Sequence, residues 1–167
     1  NVGRAVIRNR LAAQANMPWL LFVDSDMRVV KPNFVERYLQ LPNECTVVYG
    51  GNTTYGGAWT DERLLRVRYE QAAERQFTAQ QRAKQPHHHI TTSNLLVHKA
   101  VMQTVPFDNR FITYGYEDVF WGMSLAQKGI QVAHIDNPVG FNYYDNNVAF
   151  VAKTIEALYT LYAFSTE

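Results

Sequence analysis

The 167-residue sequence has a single cysteine, no surplus of either charge and no long apolar run. The lone Cys45 excludes an intramolecular disulfide framework and is compatible with a reducing compartment. A net charge of +1 without a dense basic run leaves no electrostatic footprint for nucleic acid, so no nucleic-acid partner is expected. No apolar stretch approaches the roughly 18 residues that a spanning helix needs, so we expect no transmembrane segment in this chain.

What the sequence does contain suits one globular domain over residues 1–167. Its 47% hydrophobic and 19% charged residues are enough to bury a single sizeable core. Helical and strand patterns alternate along the chain, which favours an α/β fold. We predict helices near the N-terminus, over 33–40, 61–83, 117–128 and 148–164 and, as a short helix, in the segment after Lys99, and strands over 19–23, 46–49, 92–97 and 130–135. The Arg- and Glu-rich helix at 61–83 is expected to be solvent-exposed.

The first helical pattern starts almost at the N-terminus. It spaces its apolar residues for one buried face, which comprises Val6, Ile7, Leu11, Ala12 and Ala15. A βαβ unit would place a parallel strand in front of this helix, and the sequence contains none there. We therefore expect an N-terminally truncated part of a longer protein.

An acidic triplet follows the apolar run at 19–23, which we expect to be a buried strand. Asp24 and Asp26 flank Ser25, so two carboxylates stand one residue apart where the strand ends. Mg²⁺ and Mn²⁺ prefer oxygen ligands and bridge phosphate oxygens while using few protein carboxylates. The triplet is thus a candidate metal and diphosphate site, and the alternative is that one Asp only caps the next turn.

A second acidic pair, Glu117 and Asp118, opens the helix predicted at 117–128. Free backbone N–H groups and the helix dipole favour ionised carboxylates at that position. An ionised carboxylate at the mouth of a pocket can act as a general base. The alternative is that both residues only cap the helix.

Three segments in this order resemble bacterial family-2 glycosyltransferases: residues 1–9, residues 22–27 with the acidic triplet, and residues 107–118 with the acidic pair. Residues 94–129 also resemble the catalytic portion of galactosyltransferase-type domains. The resemblance implies a GT-A-like α/β/α sandwich with a mostly parallel central sheet, which binds a nucleotide sugar at the strand ends.

The resemblance also implies roles for single residues. Asp118 matches the catalytic base, with Glu117 beside it, and Asp24 and Asp26 would hold Mn²⁺ or Mg²⁺. The donor-binding set is Arg4, Arg8, Asn9, Asp24, Ser25 and Asp26, and the acceptor-binding set is Asn94, Gly115, Tyr116 and Trp121. Thr92 and Ser93 would add a polar wall to the acceptor pocket, whereas Trp121 is equally well explained as a core residue.

The histidines of the sequence do not identify a third metal ligand. Many family members carry a metal-binding histidine in the stretch that corresponds to 136–142, and this chain has none there. His134 lies just upstream and is a candidate ligand, although strand alternation would also bury it. His87, His88 and His89 cannot all face one ion along a regular strand, so we interpret them as an exposed turn.

The implied function is a metal-dependent inverting hexosyl transfer. The donor would be a nucleotide-diphosphate sugar, with a UDP-sugar favoured, and the acceptor a glycan or glycolipid hydroxyl in bacterial surface polysaccharide synthesis. The expected location is cytoplasmic, at the inner face of a membrane. The alternatives are a non-catalytic carbohydrate-binding domain of the same fold and a nucleotidyltransferase.

Overall fold

The computed structural model describes residues 2–42, 44–56 and 59–165, so Asn1 of the first resembling segment lies outside the described residues. Its strands are β1 (Trp19–Val23), β2 (Met27–Val29), β3 (Val47–Tyr49), β4 (Asn52–Thr53), β5 (Asn94–His98), β6 (Ala133–His134) and β7 (Val139–Phe141). Its helices are α1 (Arg4–Gln14), α2 (Phe34–Leu39), α3 (Leu64–Gln76), α4 (Ala79–Arg82), α5 (Lys99–Thr104), α6 (Glu117–Gln127) and α7 (Asn147–Ser165), with a 3₁₀ turn at Asp61–Arg63.

The larger sheet has four strands in the order β1-β5-β3-β6. Strand β5 is antiparallel to both of its neighbours, whereas β3 and β6 are parallel. The sheet is therefore mixed rather than mostly parallel, because the chain enters β5 from the edge at which β1 and β3 end. Val23 pairs with Asn94, and Tyr49 pairs with both Leu95 and His134. One edge of the sheet thus collects the ends of β1, β3 and β6 and the start of β5.

A smaller sheet of three strands lies beyond the acidic triplet in the order β2-β7-β4. Strand β7 is antiparallel to β2 and parallel to β4. The backbone N–H of Asn142 donates to the carbonyl of Asp26 at 2.8 Å, which ties the end of β7 to the triplet. This contact fixes the backbone of the triplet between the two sheets.

Strand β1 has the predicted bounds, but it is not buried. It pairs only with β5 among the described residues and forms an edge of the larger sheet. Trp19, Leu21 and Val23 remain 37%, 39% and 40% exposed, and the residues between them are half-buried. The apolar run therefore reflects an alternating edge strand, which a continuous hydrophobic stretch does not distinguish from a buried one.

Helix α1 also has its predicted place, but a different face is buried. Ala5, Arg8 and Ala12 are buried, whereas Ile7 and Leu11 are 45% and 55% exposed. The small alanines allow close packing, and the charged Arg8 is drawn inward by carboxylates on α6. Apolar periodicity alone could not predict that an arginine would face inward.

Several other elements confirm the predictions. Helix α2, strand β3 and helix α5 lie where expected, and α7 covers the predicted final helix. Helix α6 ends at Gln127, and Gly129 follows in the left-handed region with a φ of 68° while its N–H donates to the carbonyl of Ala126. The strand predicted at 130–135 is reduced to two residues, because only Ala133 and His134 pair with β3.

The largest core cluster lies between the four-stranded sheet and the helices α1, α5 and α6. Its most buried members are Ala5, Val47, Leu95, Val97, Phe107, Phe111, Trp121 and Leu125. Within the described part of the chain, no helix has both the length and the apolar character needed to cross a membrane.

Candidate active site

A cavity of about 660 Å³ runs along the edge at which β1, β3 and β6 end. Asp24 and Asp26 line it after β1, Ser93 lines it before β5, and Tyr49 lines it at the end of β3. The start of α6, one face of α3 and part of α7 complete the wall. The sheet therefore brings residues that are distant in sequence to one concave surface.

The acidic triplet forms a tight turn from β1 into β2. The N–H of Met27 donates to the carbonyl of Asp24 at 3.0 Å, which closes the turn. Asp24 and Asp26 both line the cavity, whereas Ser25 is exposed and does not line it. Burial raises the pKa of Asp24, Asp26 adds to the rise, and the nearby charge of Arg8 opposes it.

The backbone just before α6 directs the acidic pair toward the cavity. Gly115 has a φ of 99°, and Tyr116 is a non-glycine residue in the left-handed region with a φ of 66°. A Cβ at Gly115 would lie 2.6 Å from the Cβ of Ala157 on α7, so only glycine fits there. Left-handed non-glycine residues cost on the order of 1 kcal/mol and cluster at functional sites. Glu117 and Asp118 thereby become the first two residues of the helix.

Arg8 joins α1 to the acidic pair. Its Nη1 donates to Glu117 Oε1 at 2.8 Å and to Asp118 Oδ1 at 3.3 Å. Burial lowers the pKa of Arg8, but the charges of Asp118 and Glu117 outweigh that effect and raise it. The structure thus places this donor-binding candidate as a positioning residue for the carboxylates.

Asp118 accepts a hydrogen bond on each carboxylate oxygen. Arg8 donates to Oδ1, and the backbone N–H of Thr92 donates to Oδ2 at 3.1 Å. Burial raises the pKa of Asp118 to about 6, while Arg8 lowers it and Glu117 raises it. The Thr92 hydroxyl lies 3.5 Å from Oδ2 as a second donor, whereas Oδ1 has no second donor among the described residues, so this carboxylate can still accept a proton there.

Arg4 and Asn9, the other two candidates on α1, have different positions. Arg4 lines the cavity, with its Nη1 3.9 Å from Glu117 Oε1 and its guanidinium 4.6 Å from the Tyr114 ring centre. Asn9 does not line the cavity, and its side chain exchanges hydrogen bonds with the backbone of Phe107 at 2.8 and 2.9 Å. Asn9 therefore anchors the loop before α6.

Asn94 is fully buried and all of its side-chain bonds are internal. Its Nδ2 donates to the carbonyls of Gly51 at 2.7 Å and Asn137 at 2.8 Å, and its Oδ1 accepts from the hydroxyl of Tyr38 at 2.7 Å. It does not line the cavity. The sequence assigned Asn94 to the acceptor, but the structure places it as a cross-link between β5, β3 and the start of β7.

The remaining acceptor candidates divide between wall and core. Gly115 and Tyr116 line the cavity. Trp121 is 2% exposed, stacks on Phe107 with ring centres 4.8 Å apart and donates to the carbonyl of Val105 at 2.8 Å. The core explanation of Trp121 therefore agrees with its position.

A row of hydrogen-bonded polar side chains extends toward β3 from Thr91 and Ser93, which flank Thr92, the residue in contact with Asp118. Thr91 Oγ1 lies 2.6 Å from Ser93 Oγ and donates to the Tyr49 hydroxyl at 3.1 Å. Ser93 Oγ donates to Asn52 Oδ1 at 2.9 Å. These four side chains line the cavity, so the polar wall expected at 92–94 is present but is shifted to Thr91 and Ser93.

His134 has no free ring nitrogen. Arg82 Nε donates to its Nδ1 at 3.2 Å, so Nε2 carries the proton and donates to the carbonyl of Pro86 at 2.8 Å. Burial lowers the pKa of His134 to about 4, which keeps the ring neutral near pH 7. It does not line the cavity with the aspartates.

Of the three consecutive histidines, His88 and His89 line the cavity.

Helix α3, which the sequence predicts to be solvent-exposed, turns one charged face to the cavity. Arg66, Glu70 and Glu74 follow each other at four-residue spacing on that face. Arg66 forms an ion pair with Glu70 at 2.5 Å, and Glu74 accepts from the N–H of Thr54 at 2.9 Å and its hydroxyl at 2.7 Å. The four-residue spacing predicts that these three residues share one helix face, but it does not predict that this face lies toward the cavity.

Two of the carboxylates that line the cavity are candidate oxygen ligands for a metal ion. Among the described residues, no three His, Cys, Asp or Glu side chains converge on one point. Asp24 and Asp26 both line the cavity, and neither forms an ion pair within the described ranges. This pair fits Mg²⁺ or Mn²⁺, which take their remaining oxygen ligands from phosphates and water.

Comparison with known proteins shows a similarity to a solved structure. No family model matches the sequence, and no curated protein matches it. Among solved structures, the chain is similar to glucosyl-3-phosphoglycerate synthase from Mycobacterium tuberculosis in complex with phosphoglyceric acid. The TM-score is 0.53 at 14% identity, and the match covers 98% of this chain and 55% of that chain. This chain thus spans about half the length of that protein.

This similarity identifies the fold of the chain. The chain has the α/β GT-A fold of glycosyltransferases, with mixed rather than purely parallel sheets. The fold implied by the sequence resemblance is therefore confirmed, and the narrower assignment to bacterial family 2 stays a prediction.

Proposed function

We propose that this chain is the catalytic part of a glycosyltransferase that moves a sugar from a nucleotide-diphosphate sugar to an acceptor hydroxyl. One observation carries the proposal: Asp118, with a pKa of about 6, lines the same cavity as Asp24 and Asp26, and neither of these two carboxylates forms an ion pair among the described residues. A base and a cation site on one concave surface are the two parts that such a transfer needs.

The β1 end of the cavity would bind the donor. Asp24 and Asp26 would hold Mn²⁺ or Mg²⁺, which when bound neutralises the charge of the diphosphate. Arg4 lines the same end with its side chain 52% exposed, so its guanidinium is accessible to a phosphate oxygen.

Asp118 would activate the acceptor. Its carboxylate takes the proton of the attacking hydroxyl while the new bond forms between that oxygen and the anomeric carbon. The bond from the anomeric carbon to the diphosphate oxygen breaks at the same time, and the nucleoside diphosphate leaves with the electron pair. A single displacement of this kind inverts the anomeric centre. Arg8 and the Thr92 N–H keep Asp118 in place.

The resemblance to bacterial family-2 enzymes supports the finer assignments. We propose a UDP-sugar as donor and a glycan or glycolipid as acceptor, in the synthesis of surface polysaccharide. A nucleotide-sugar donor favours a cytoplasmic site at the inner face of a membrane.

Calorimetric titration with UDP, with and without Mn²⁺, tests the donor site. We expect Mn²⁺-dependent binding that is lost in Asp26→Asn. The matched control is Asp136→Asn, because Asp136 is exposed and pairs with Lys31 outside the cavity. It should bind UDP as the unmodified chain does.

Binding that is independent of Mn²⁺, or unchanged in Asp26→Asn, would contradict the donor site. Donor binding without any transfer would instead favour the non-catalytic alternative. Pyrophosphate release from a nucleoside triphosphate would favour a nucleotidyltransferase.

A further inference from the structure

Arg82, at the end of α4, is a buried charge that the proposed mechanism does not use. It is 8% exposed and lines the cavity. Its Nη1 donates to the carbonyl of Phe77 at 2.7 Å, its Nη2 to the carbonyl of Ile135 at 3.0 Å and its Nε to His134 at 3.2 Å. All three acceptors are neutral, so these bonds position the guanidinium without cancelling its charge.

No carboxylate neutralises Arg82 within the described part of the chain. The other buried or half-buried arginines of the cavity are paired: Arg8 with Glu117 and Asp118, and Arg66 with Glu70. Among the described residues, no carboxylate oxygen lies within 4.0 Å of Arg82. Burial lowers the pKa of Arg82, and the charge of Asp136, which is exposed and paired with Lys31, opposes that effect without outweighing it. Buried charges in proteins are normally paired, because desolvation of an unpaired charge is costly. A guanidinium has five N–H donors, so two remain for a ligand.

The surrounding side chains do not supply the missing negative charge. Glu70 is held by Arg66, and Glu74 accepts hydrogen bonds from Thr54. His88 and His89 line the cavity, and burial lowers the pKa of His89, with the charges of His88 and Arg82 acting in the same direction. Arg82 therefore supplies the positive charge of this region.

The position of Arg82 along the sheet edge separates it from the donor carboxylates. The order β1-β5-β3-β6 places the acidic triplet at one end and the Arg82 partner His134 at the other. Neighbouring strands lie about 4.8 Å apart, so three steps amount to about 14 Å. Asp118, which contacts Thr92 before β5, and the Tyr49 hydroxyl at the end of β3 lie between the two ends.

We infer that the acceptor carries an acidic group, a carboxylate or a phosphate, which Arg82 binds while a hydroxyl of the same molecule reaches Asp118. The guanidinium suits this task, because its planar N–H groups match carboxylate and phosphate oxygens. One part of the inference rests on the proposed function, namely that the molecule bound by Arg82 is the acceptor. The anion site itself rests only on the burial and partners of Arg82.

Direct binding tests the anion site without requiring activity. The chain is titrated calorimetrically with a hexose, a hexuronic acid and a hexose 6-phosphate, each in the presence of UDP and Mn²⁺. We expect at least one acidic sugar to bind tenfold or more tightly than the hexose, and the two acidic probes distinguish carboxylate from phosphate. Equal or weaker binding of both acidic sugars would overturn the inference.

Variants attribute that preference to Arg82. Arg82→Lys keeps the charge and loses the planar fork, and Arg82→Gln removes the charge. We expect the acidic preference to fall at least threefold in the first and to disappear in the second, with UDP binding retained. Arg68→Gln, an exposed change on α3, is the control. If Arg82→Gln does not fold, the unmodified chain and Arg82→Lys still decide the question.

Transfer assays separate this inference from the proposed function. Transfer to neutral and acidic sugars at equal rates would support sugar transfer and contradict the acidic acceptor. Acid-selective binding that disappears in Arg82→Gln, without transfer to any probe, would support the anion site and contradict the proposed function.

Discussion

The two ends of the cavity each contain a buried arginine, but the net charge of the side chains at one end is opposite in sign to that at the other. Arg8 and Arg82 are 7% and 8% exposed. Arg8 lies between two carboxylates and near the acidic triplet, so four carboxylates outweigh the two arginines of α1 that line the cavity. Arg82 has only neutral partners. Equal burial of the same residue type thus leaves a net negative charge at one end of the cavity and a net positive charge at the other.

This difference in net charge distinguishes one end of the cavity from the other. The donor carboxylates, the base and the hydroxyl groups follow one another along the ends of neighbouring strands, and Arg82 comes last. Ligands of open α/β sheets bind at such strand ends. The order of the strands therefore sets the order in which donor, reacting hydroxyl and acceptor group would lie.

The largest effect is expected from Asp118→Asn, which tests whether the acidic end performs the chemistry. The amide keeps the shape of the carboxylate and cannot take the proton. We expect kcat to fall by about 10²- to 10⁴-fold, the usual contribution of a general base. UDP titration in the same preparation should be unchanged. Turnover near the unmodified rate would remove Asp118 from this role.

Arg8→Gln tests the pairing that distinguishes the two arginines. The variant leaves the buried Glu117 and the half-buried Asp118 without their cation, and breaking a buried pair from one side costs about 3–5 kcal/mol. Urea unfolding monitored by circular dichroism measures the change. Arg10→Gln on the exposed side of α1 is the control and should shift stability by less than about 0.5 kcal/mol. A similarly small change in Arg8→Gln would show that the pair does not hold α1 to α6.

The pH dependence of kcat/KM tests the environment of Asp118. Because the base must be ionised, and burial raises its pKa to about 6, activity should fall about tenfold per unit below that pH. The linked effect on stability has the opposite sign. The folded-state pKa exceeds the unfolded value of about 3.9, so the contribution of Asp118 to stability decreases as pH rises from about 4 to 6. A rate that is flat down to pH 4.5 would contradict the assignment.

The smallest effect is expected in the cavity wall next to α3, in Thr54→Val. This change removes the hydroxyl that donates to Glu74 at 2.7 Å and should cost about 1 kcal/mol. Burial raises the pKa of Glu74, but bonds from Thr53 and Thr54 outweigh it and lower the pKa. Their contribution is present above the unfolded pKa and is lost as pH falls through the folded value. Unfolding at pH 7 and pH 3 measures it, with the exposed Thr60→Val as control. A cost that is equal at both pH values would contradict this origin.

Features encoded by neighbouring residues could be predicted from the sequence. The apolar run before the acidic triplet predicted β1, and Gly129 predicted the end of α6, because strand length and helix termination depend on a few adjacent residues. The acidic pair at the start of α6 was identified for the same reason. The fold class followed from the alternation of helices and strands together with the resemblance.

Features that depend on long-range contacts could not be predicted. Arg8 is buried because of carboxylates about 110 residues later, and Asn94 is buried because it bonds to groups near residues 38, 51 and 137. Arg82 lies in a segment whose composition is typical of a solvated helix. Only the packing of α3 and α4 against the strand ends turns that charge toward the cavity.

The anomeric configuration of the product tests the central claim most directly. The chain is incubated with a UDP-α-hexose, Mn²⁺ and the sugar that binds most tightly, and the new linkage is determined by proton NMR. The account predicts a β-linkage that is absent from the Asp118→Asn reaction, because a single displacement with Asp118 as base inverts the anomeric centre. An α-linked product would contradict that mechanism.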